Sequence, residues 1–219
     1  MTGPQSSDLF RQGCAALGLS LETPAIARLD RYLSELRRWN TKMNLVADAP
    51  LQEMIDCHFL DSLTLLPHLD PGSHPVLLDV GTGAGFPGLA LKCAAPSLAL
   101  TLVEPREKRV IFLRHIVRQL DLAGVEIVPR RLEKKNTENI LYPLITSRAV
   151  ANVAEFLDLV AAWCPSSGTV ICMKGPRADE EIAQWQTTAS SSPFFLRNSI
   201  SLGLPFSGSR RTLLFFTKI

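Results

Sequence analysis

The stretch Val76-Leu77-Leu78-Asp79-Val80-Gly81-Thr82-Gly83-Ala84-Gly85-Phe86-Pro87-Gly88 constrains this chain more than any other. It begins as a short run of branched apolar residues, the pattern of a strand buried on both faces of a parallel sheet. Four glycines then fall within eight residues. Pro87 stands where a helix can begin, because the first helical turn does not need that N–H. Strand, glycine turn and helix make up the opening unit of a nucleotide-binding α/β sheet. Glycines let backbone approach a ligand closely, and N–H groups at a helix start favour an anion.

Two patterns overlap in this loop. Gly83-Ala84-Gly85-Phe86-Pro87-Gly88 fits the dinucleotide fingerprint G-x-G-x-x-G. Asp79 to Gly85 instead carries an acid followed by glycines at every second position, which resembles the first motif of class I S-adenosylmethionine (SAM) methyltransferases. A dinucleotide turn sets its first glycine at the strand end, whereas this chain already turns at Gly81. A carboxylate at Asp79 would repel a pyrophosphate and suits a ligand with an ammonium and a sulfonium. Asp79, Gly81, Gly83 and Gly85 are therefore read as cofactor residues for SAM. A dinucleotide site and a glycine loop without a ligand remain the other readings.

The rest of the composition sets bounds. A chain of 219 residues that is 46% apolar holds one good core with room for a small attached subdomain. A net charge of +2 allows an RNA partner through a local basic patch without requiring one. Cys14, Cys57, Cys93, Cys164 and Cys172 form no C-x-x-C pair, so neither a metal site nor a disulfide framework is indicated, and reduced thiols in the cytoplasm are expected. No basic leader precedes an apolar run and no run approaches 18 apolar residues, so no membrane contact is expected. A monomer is the default.

Taken in order, residues 7–18 read as a helix stopped by Gly18. Thr23 and Pro24 read as N-cap and first helical residue of a second helix, with Ile26, Leu29, Tyr32, Leu33, Leu36 and Trp39 inward and Arg28, Arg31, Arg37 and Arg38 on a solvated face. Asp48 and Pro50 start a third helix through Leu63, where His58 and Asp61 share a face and are expected to bond locally. Asp70-Pro71-Gly72-Ser73 marks a linker. Residues 1–70 are thus a helical cap and 71–219 the α/β domain.

Beyond the loop, Leu98–Val103 is the second strand, closed by Glu104, 19 residues after Gly85. A carboxylate there holds a ribose diol in SAM and dinucleotide sites alike. The next helix, 106–120, carries Arg106, Lys108, Arg109, Arg114 and Arg118 with Glu107 as the nearby acid, which suggests contact with RNA phosphates. Residues 125–128, 141–147 and 168–175 read as three further strands, with helices at 152–163 and 178–188. Phe194–Leu202 and Arg211–Lys218 read as a closing hairpin. The fold expected is α/β, a Rossmann-like seven-stranded and mostly parallel sheet with helices on both faces.

Six motifs then occur in a specific order: Asn40-Thr41-Lys42-Met43-Asn44-Leu45, His58-Phe59-Leu60-Asp61-Ser62-Leu63, Asp79 to Gly88, Lys108-Arg109 with Phe112-Leu113, Ser147-Arg148-Ala149, and Lys174-Gly175. Over about residues 25–219 the chain resembles the bacterial 16S ribosomal RNA (guanine-N7) methyltransferases, the glucose-inhibited division protein B family. The resemblance implies SAM as cofactor and methylation of one guanine N7 in the 530 loop. It implies that Gly81 and Phe86 belong to the SAM loop, that Leu132 and Glu133 hold the adenosine, and that Arg148 is a SAM-site or active-site arginine. Arg148 and Lys174 are expected to bind anions and position, without transferring protons. Leu132 stands where the family usually has Ala, Tyr142-Pro143 where it has Phe-Asp, and Glu104-Pro105 where it has Asp-Ser. An NAD-dependent oxidoreductase, a non-catalytic rRNA-binding assembly factor and a methyltransferase for a small molecule or protein are the alternatives.

Overall fold

The structure, a computed structural model, describes residues 3–69, 76–148 and 150–219. The expected linker at Asp70–Ser73 and residue Ala149 lie outside the described residues. Three helical stretches come first: α1 (Gly3–Ala16), α2 (Thr23–Met43), and a helix in three parts, α3 (Leu51–Met54), a π-helical segment Ile55–Leu60 and α4 (Asp61–Leu63). α1 closes at Gly18, whose φ of +70° lets Leu19 N–H reach back to the Cys14 carbonyl at 2.8 Å. The cap of α2 is Glu22, one residue before the expected Thr23, so Pro24 is the second helical residue and its ring still fits the first turn. Asn44 ends α2 in the left-handed region, which asparagine tolerates.

The apolar pattern of residues 51–63 reads as one regular helix, and the structure departs from it. Hydrogen bonding from i to i+5 widens the segment Ile55–Leu60. In an α-helix, residues five apart point roughly 140° away from each other. The wider turn instead brings Asp56 and Asp61 toward the same neighbour. Asp56 is buried and accepts from Phe206 N–H (3.2 Å), Ser207 N–H (2.9 Å) and the Ser207 hydroxyl (2.6 Å). Asp61 meets Arg211, four residues beyond that turn.

Seven strands follow: β1 (Val76–Val80), β2 (Ala99–Val103), β3 (Val125–Val128), β4 (Leu144–Arg148), β5 (Thr169–Lys174), β6 (Phe194–Gly203) and β7 (Arg210–Lys218). Their order is β3-β2-β1-β4-β5-β7-β6. The first five are parallel, and β7 runs antiparallel to both β5 and β6. β4 starts three residues later than expected: Tyr142 N–H bonds the Trp163 carbonyl (2.8 Å), and Pro143, with no N–H for a ladder, offers its carbonyl to Thr169 (2.8 Å). Helices α5 (Gly88–Ala94), α6 (Glu107–Gln119), α7 (Val153–Val160) and α8 (Ala178–Gln186) complete the α/β fold.

Strand alternation divides the interior in two. Leu77, Leu100, Leu102, Ile171, Met173 and Phe215 face one cluster, shared with the N-terminal helices, α5 and α6. Leu78, Val80, Val103, Val170, Cys172 and Phe216 face the other, shared with α7 and α8. The first cluster contains an aromatic knot. Phe59 packs edge-on against Phe10 (5.3 Å), Tyr32 (5.1 Å) and Phe86 (5.0 Å), while Tyr32 stacks on Phe86 at 5.4 Å. The helices before β1 therefore share their core with the glycine loop.

Asp79 joins β1 to α5. It is wholly buried, and its Oδ2 accepts from the Thr82 hydroxyl (2.6 Å) and from Gly88 N–H (2.8 Å), the first residue of α5. Its Oδ1 is buried and has no hydrogen-bond partner among the described residues. Burial pushes the carboxyl from 3.8 up to about 6 against the pull of those two donors.

Two outcomes follow from this packing. Tyr32 donates its hydroxyl to the buried Ala84 carbonyl, so Tyr32→Phe strands that acceptor and lowers unfolding free energy by about 1–3 kcal/mol in urea titration. An unchanged midpoint would mean the carbonyl finds another donor. Asp79 binds its proton more tightly folded than unfolded, so its contribution is greatest below pH 4 and is lost as pH rises through 6. The stability difference between wild type and Asp79→Asn shrinks by about 2 kcal/mol from pH 4 to pH 7. A pH-independent difference would contradict the raised carboxyl.

Candidate active site

Strand order runs outward from β1 in both directions, to β2 and β3 on one side and to β4 and β5 on the other. The crevice beyond the carboxyl end of β1 is thus the switch point of the sheet, where ligands of such folds bind. The glycine loop lies there. Gly81 and Thr82 donate their N–H groups to the Val103 carbonyl at 2.8 and 3.2 Å, which bends the chain across the end of β2. Gly81 has a φ of +68°, and a side chain would also strike Val150 at 2.6 Å. Gly85 has a φ of +98° and lies against Tyr32 and Leu89.

Glu104 faces this loop from the end of β2 with 2% of its surface exposed. Its Oε2 accepts from Gly83 N–H (3.0 Å) and its Oε1 from Arg106 N–H (2.9 Å), while Arg109 Nη1 lies 3.5 Å from Oε2. A carboxylate offers about four acceptor positions, so two remain for a diol after these backbone bonds. The donor set, a glycine-lined backbone with an acid opposite it, fits a nucleoside. Phe86 turns inward instead: its ring is 2% exposed, between Tyr32, Phe59 and His58, with the Arg148 guanidinium 5.2 Å from its centroid. Phe86 anchors the loop to the core.

A second cleft of about 360 Å³ opens beside the loop at the carboxyl ends of β4 and β5. Cys57, His58, Asp61, Arg148, Met173, Lys174, Gly175 and Arg211 line it. Arg148 Nη1 donates to the Cys57 carbonyl (2.8 Å) and to Asp61 Oδ2 (3.3 Å), and Nη2 lies 3.4 Å from His58 Nδ1. Arg211 Nε lies 3.2 Å from Asp61 Oδ1. The Asp61 carboxylate thus bridges two arginines. The local bond expected between His58 and Asp61 is replaced by a shared partner, Arg148. Burial, then Arg148, then Arg211 lower the His58 imidazole to about 4, so it is neutral at pH 7.

The remaining sequence candidates divide. Lys174 is buried, donates to the Ala151 carbonyl (2.6 Å) and pairs with Glu181 at 2.8 Å, so its charge is already matched. Leu132 is half-buried against the second core cluster. Glu133 is exposed, and its carbonyl accepts the Trp163 indole N–H at 2.7 Å. Arg106, Lys108, Arg114 and Arg118 are exposed on α6, whereas Arg109 turns to Glu104 and so leaves that basic face. Arg211 and the carboxylate role of Asp61 were missed by sequence reasoning. Only the Asp-Ser-Leu run within a cap motif and a paired Arg210-Arg211 opening a strand hinted at them.

Comparison with known proteins agrees with this geometry. The family model described as rRNA small subunit methyltransferase G matches residues 25–205. A protein of Desulfotalea psychrophila named ribosomal RNA small subunit methyltransferase G is 44% identical over 208 residues, covering 93% of this chain and 94% of its own. Among solved structures, a ribosomal protein L11 methylase from Lactobacillus delbrueckii subsp. bulgaricus superimposes with a TM-score of 0.57 at 13% identity, over 79% of this chain and 81% of that one. The M. jannaschii TYW2 structure, solved in complex with AdoMet, gives a TM-score of 0.51 at 13% identity over 66% and 69%. These two share the fold. With the fold, the acid-and-glycine loop and the match across most of its length, the chain belongs to the rRNA small subunit methyltransferase G family.

Proposed function

We propose that this chain transfers the methyl group of SAM to N7 of one guanine in the 530 loop of 16S rRNA. The observation that carries the reading is the pairing of the Asp79–Gly88 loop with Glu104, 3.0 Å from Gly83 N–H, at the switch point of a sheet in this family. Glu104 takes the ribose hydroxyls. Gly81, Gly83 and Gly85 allow backbone contact, with Asp79 bracing the loop and Phe86 fixing it. Leu132 and Glu133 flank the adenine, and Arg148 holds the methionine carboxylate. Residues 1–70 act as the cap over this domain, 71–219. The basic residues Arg106, Lys108, Arg114 and Arg118 meet RNA phosphates.

SAM when bound supplies an electrophilic methyl on a sulfonium. Guanine N7 has a free lone pair and no proton, so no general base is needed. The work of the chain is alignment, which supplies up to roughly 7–11 kcal/mol of a barrier. The neutral His58 adds no charge where the purine turns cationic, and Lys174, matched by Glu181, adds little. N7 lies on the edge that A-form RNA hides in its deep groove, so the target guanine must be unpaired or splayed out. Either free rRNA or a small-subunit particle meets that need, with the enzyme acting as a monomer.

Labelled SAM with 16S rRNA or 30S subunits from cells lacking this gene should label one guanine, found by cleavage specific for N7-methylguanine. Calorimetric SAM binding without label would leave a binding protein or a methyltransferase for another substrate; nicotinamide binding without SAM binding would return the loop to the dinucleotide reading. Glu104→Gln removes charge from the diol contact and weakens SAM by about 10-fold or more in calorimetry. Arg148→Ala likewise lowers SAM affinity, and unchanged binding and turnover would exclude it from the site.

A further inference from the structure

The two arginines bridged by Asp61 stand on opposite sides of the cleft. Arg148 lies over Phe86 of the glycine loop, while Arg211 enters from β7, on the far side of β5. We propose that Arg211 is the substrate-side arginine of this pair and holds a phosphodiester of the RNA strand next to the guanine being methylated. The proposal rests on the methyl-transfer reading and deepens it.

The charges of the cleft lead there. Lys174 is matched by Glu181, and one carboxylate, Asp61, is divided between Arg148 and Arg211. Among the residues lining the cleft two guanidiniums therefore share one carboxylate beside a neutral imidazole, and the methionine carboxylate given to Arg148 brings its own ammonium, so the cofactor does not remove the excess. A guanine gains positive charge on N7 methylation, so an uncompensated arginine at its edge would oppose the product. The excess is tolerable if the ligand brings an anion, and an RNA strand brings one at every nucleotide. Arg211 is free enough to take it. Its Nε forms an ion pair with Asp61 (3.2 Å) without hydrogen-bond alignment, its Nη1 donates to the Arg210 carbonyl (3.1 Å), and its side chain keeps 19% of its surface exposed. A planar guanidinium held by part of its fork is suited to a phosphate.

The fold holds Arg211 in place from two points on one helix. Asp56 clasps the turn Phe206–Ser207 just before β7, and Asp61 grips the guanidinium. Both carboxylates reach the hairpin because the π-helical segment lies between them.

The test measures Arg211→Gln against wild type on 16S rRNA lacking the modification. KM for RNA should rise about 10-fold, with kcat and SAM affinity within twofold, and the slope of log KM against log salt should fall by about 0.7–0.9, the value of one phosphate contact. Arg211→Lys should recover the salt slope but only part of the affinity. Unchanged KM and slope would overturn the proposal, as would a loss of SAM affinity as large as the loss for RNA. Should Arg211→Gln fail to fold, the wild-type protein decides: with S-adenosylhomocysteine bound, adding the rRNA should raise the His58 imidazole pKa read by NMR. No movement of that imidazole would overturn the proposal. Wild-type turnover and SAM binding test the methyl-transfer reading separately.

Discussion

Stacking of Tyr32 on Phe86 makes one object of two parts that the chain builds far apart. Tyr32 belongs to the long helix α2 and Phe86 to the loop after β1, 54 positions later. The Tyr32 hydroxyl also caps the Ala84 carbonyl, so the loop is held by a ring on one side and a hydrogen bond on the other. Glycines give such a loop freedom that folding must remove. Here the removal is done by aromatic packing from the helical layer and by the buried Asp79 carboxylate below. A loop fixed in this way presents its N–H groups to Glu104 without reorganising when a ligand arrives, which is the condition for electrostatic preorganisation.

Electrostatics in the two halves of the crevice differ in sign. Beside the loop, Glu104 and Asp79 are buried acids with one half-buried cation, Arg109, nearby. In the adjoining cleft the balance is basic, and a single carboxylate, Asp61, serves two guanidiniums. An acidic end suits a cationic cofactor with a diol, and a basic end suits a polyanion. The two halves meet where the Arg148 guanidinium lies over the Phe86 ring.

Much of this was legible in the chain itself. Branched apolar runs, glycine stops and helix-period stripes gave seven strands and the helices between them, and the acid at Glu104 came from its place at a strand end. The misses have physical causes. A π-helical segment keeps the apolar composition of an α-helix, so Ile55–Leu60 carries no local signal of its winding, and the partners of His58 and Asp61 could not be foreseen. Arg211 lies 150 residues from Asp61 and was indistinguishable from any exposed cation until β7 was set beside β5. Arg109 was grouped with its neighbours on α6 because charge alone does not say which helical residue turns inward. The start of β4 falls three residues after the expected Leu141 because Pro143 has no N–H to give a ladder.

The position of β7 has a consequence for the order of assembly. β7 is synthesised after β6 yet lies between it and β5 in the sheet. While β6 is the newest strand its native hydrogen-bonding partner does not yet exist, and the edge of β5 stands open. The parallel half of the sheet can gather around β1 from strands already made, whereas the antiparallel half must wait for β7 to insert. Long-range pairing of this kind is slow because loop entropy is lost before contacts form. Until it is complete, Asp61 faces Arg148 alone and the cleft lacks a wall. The side of the cleft that Arg211 supplies thus comes from the last strand to be made.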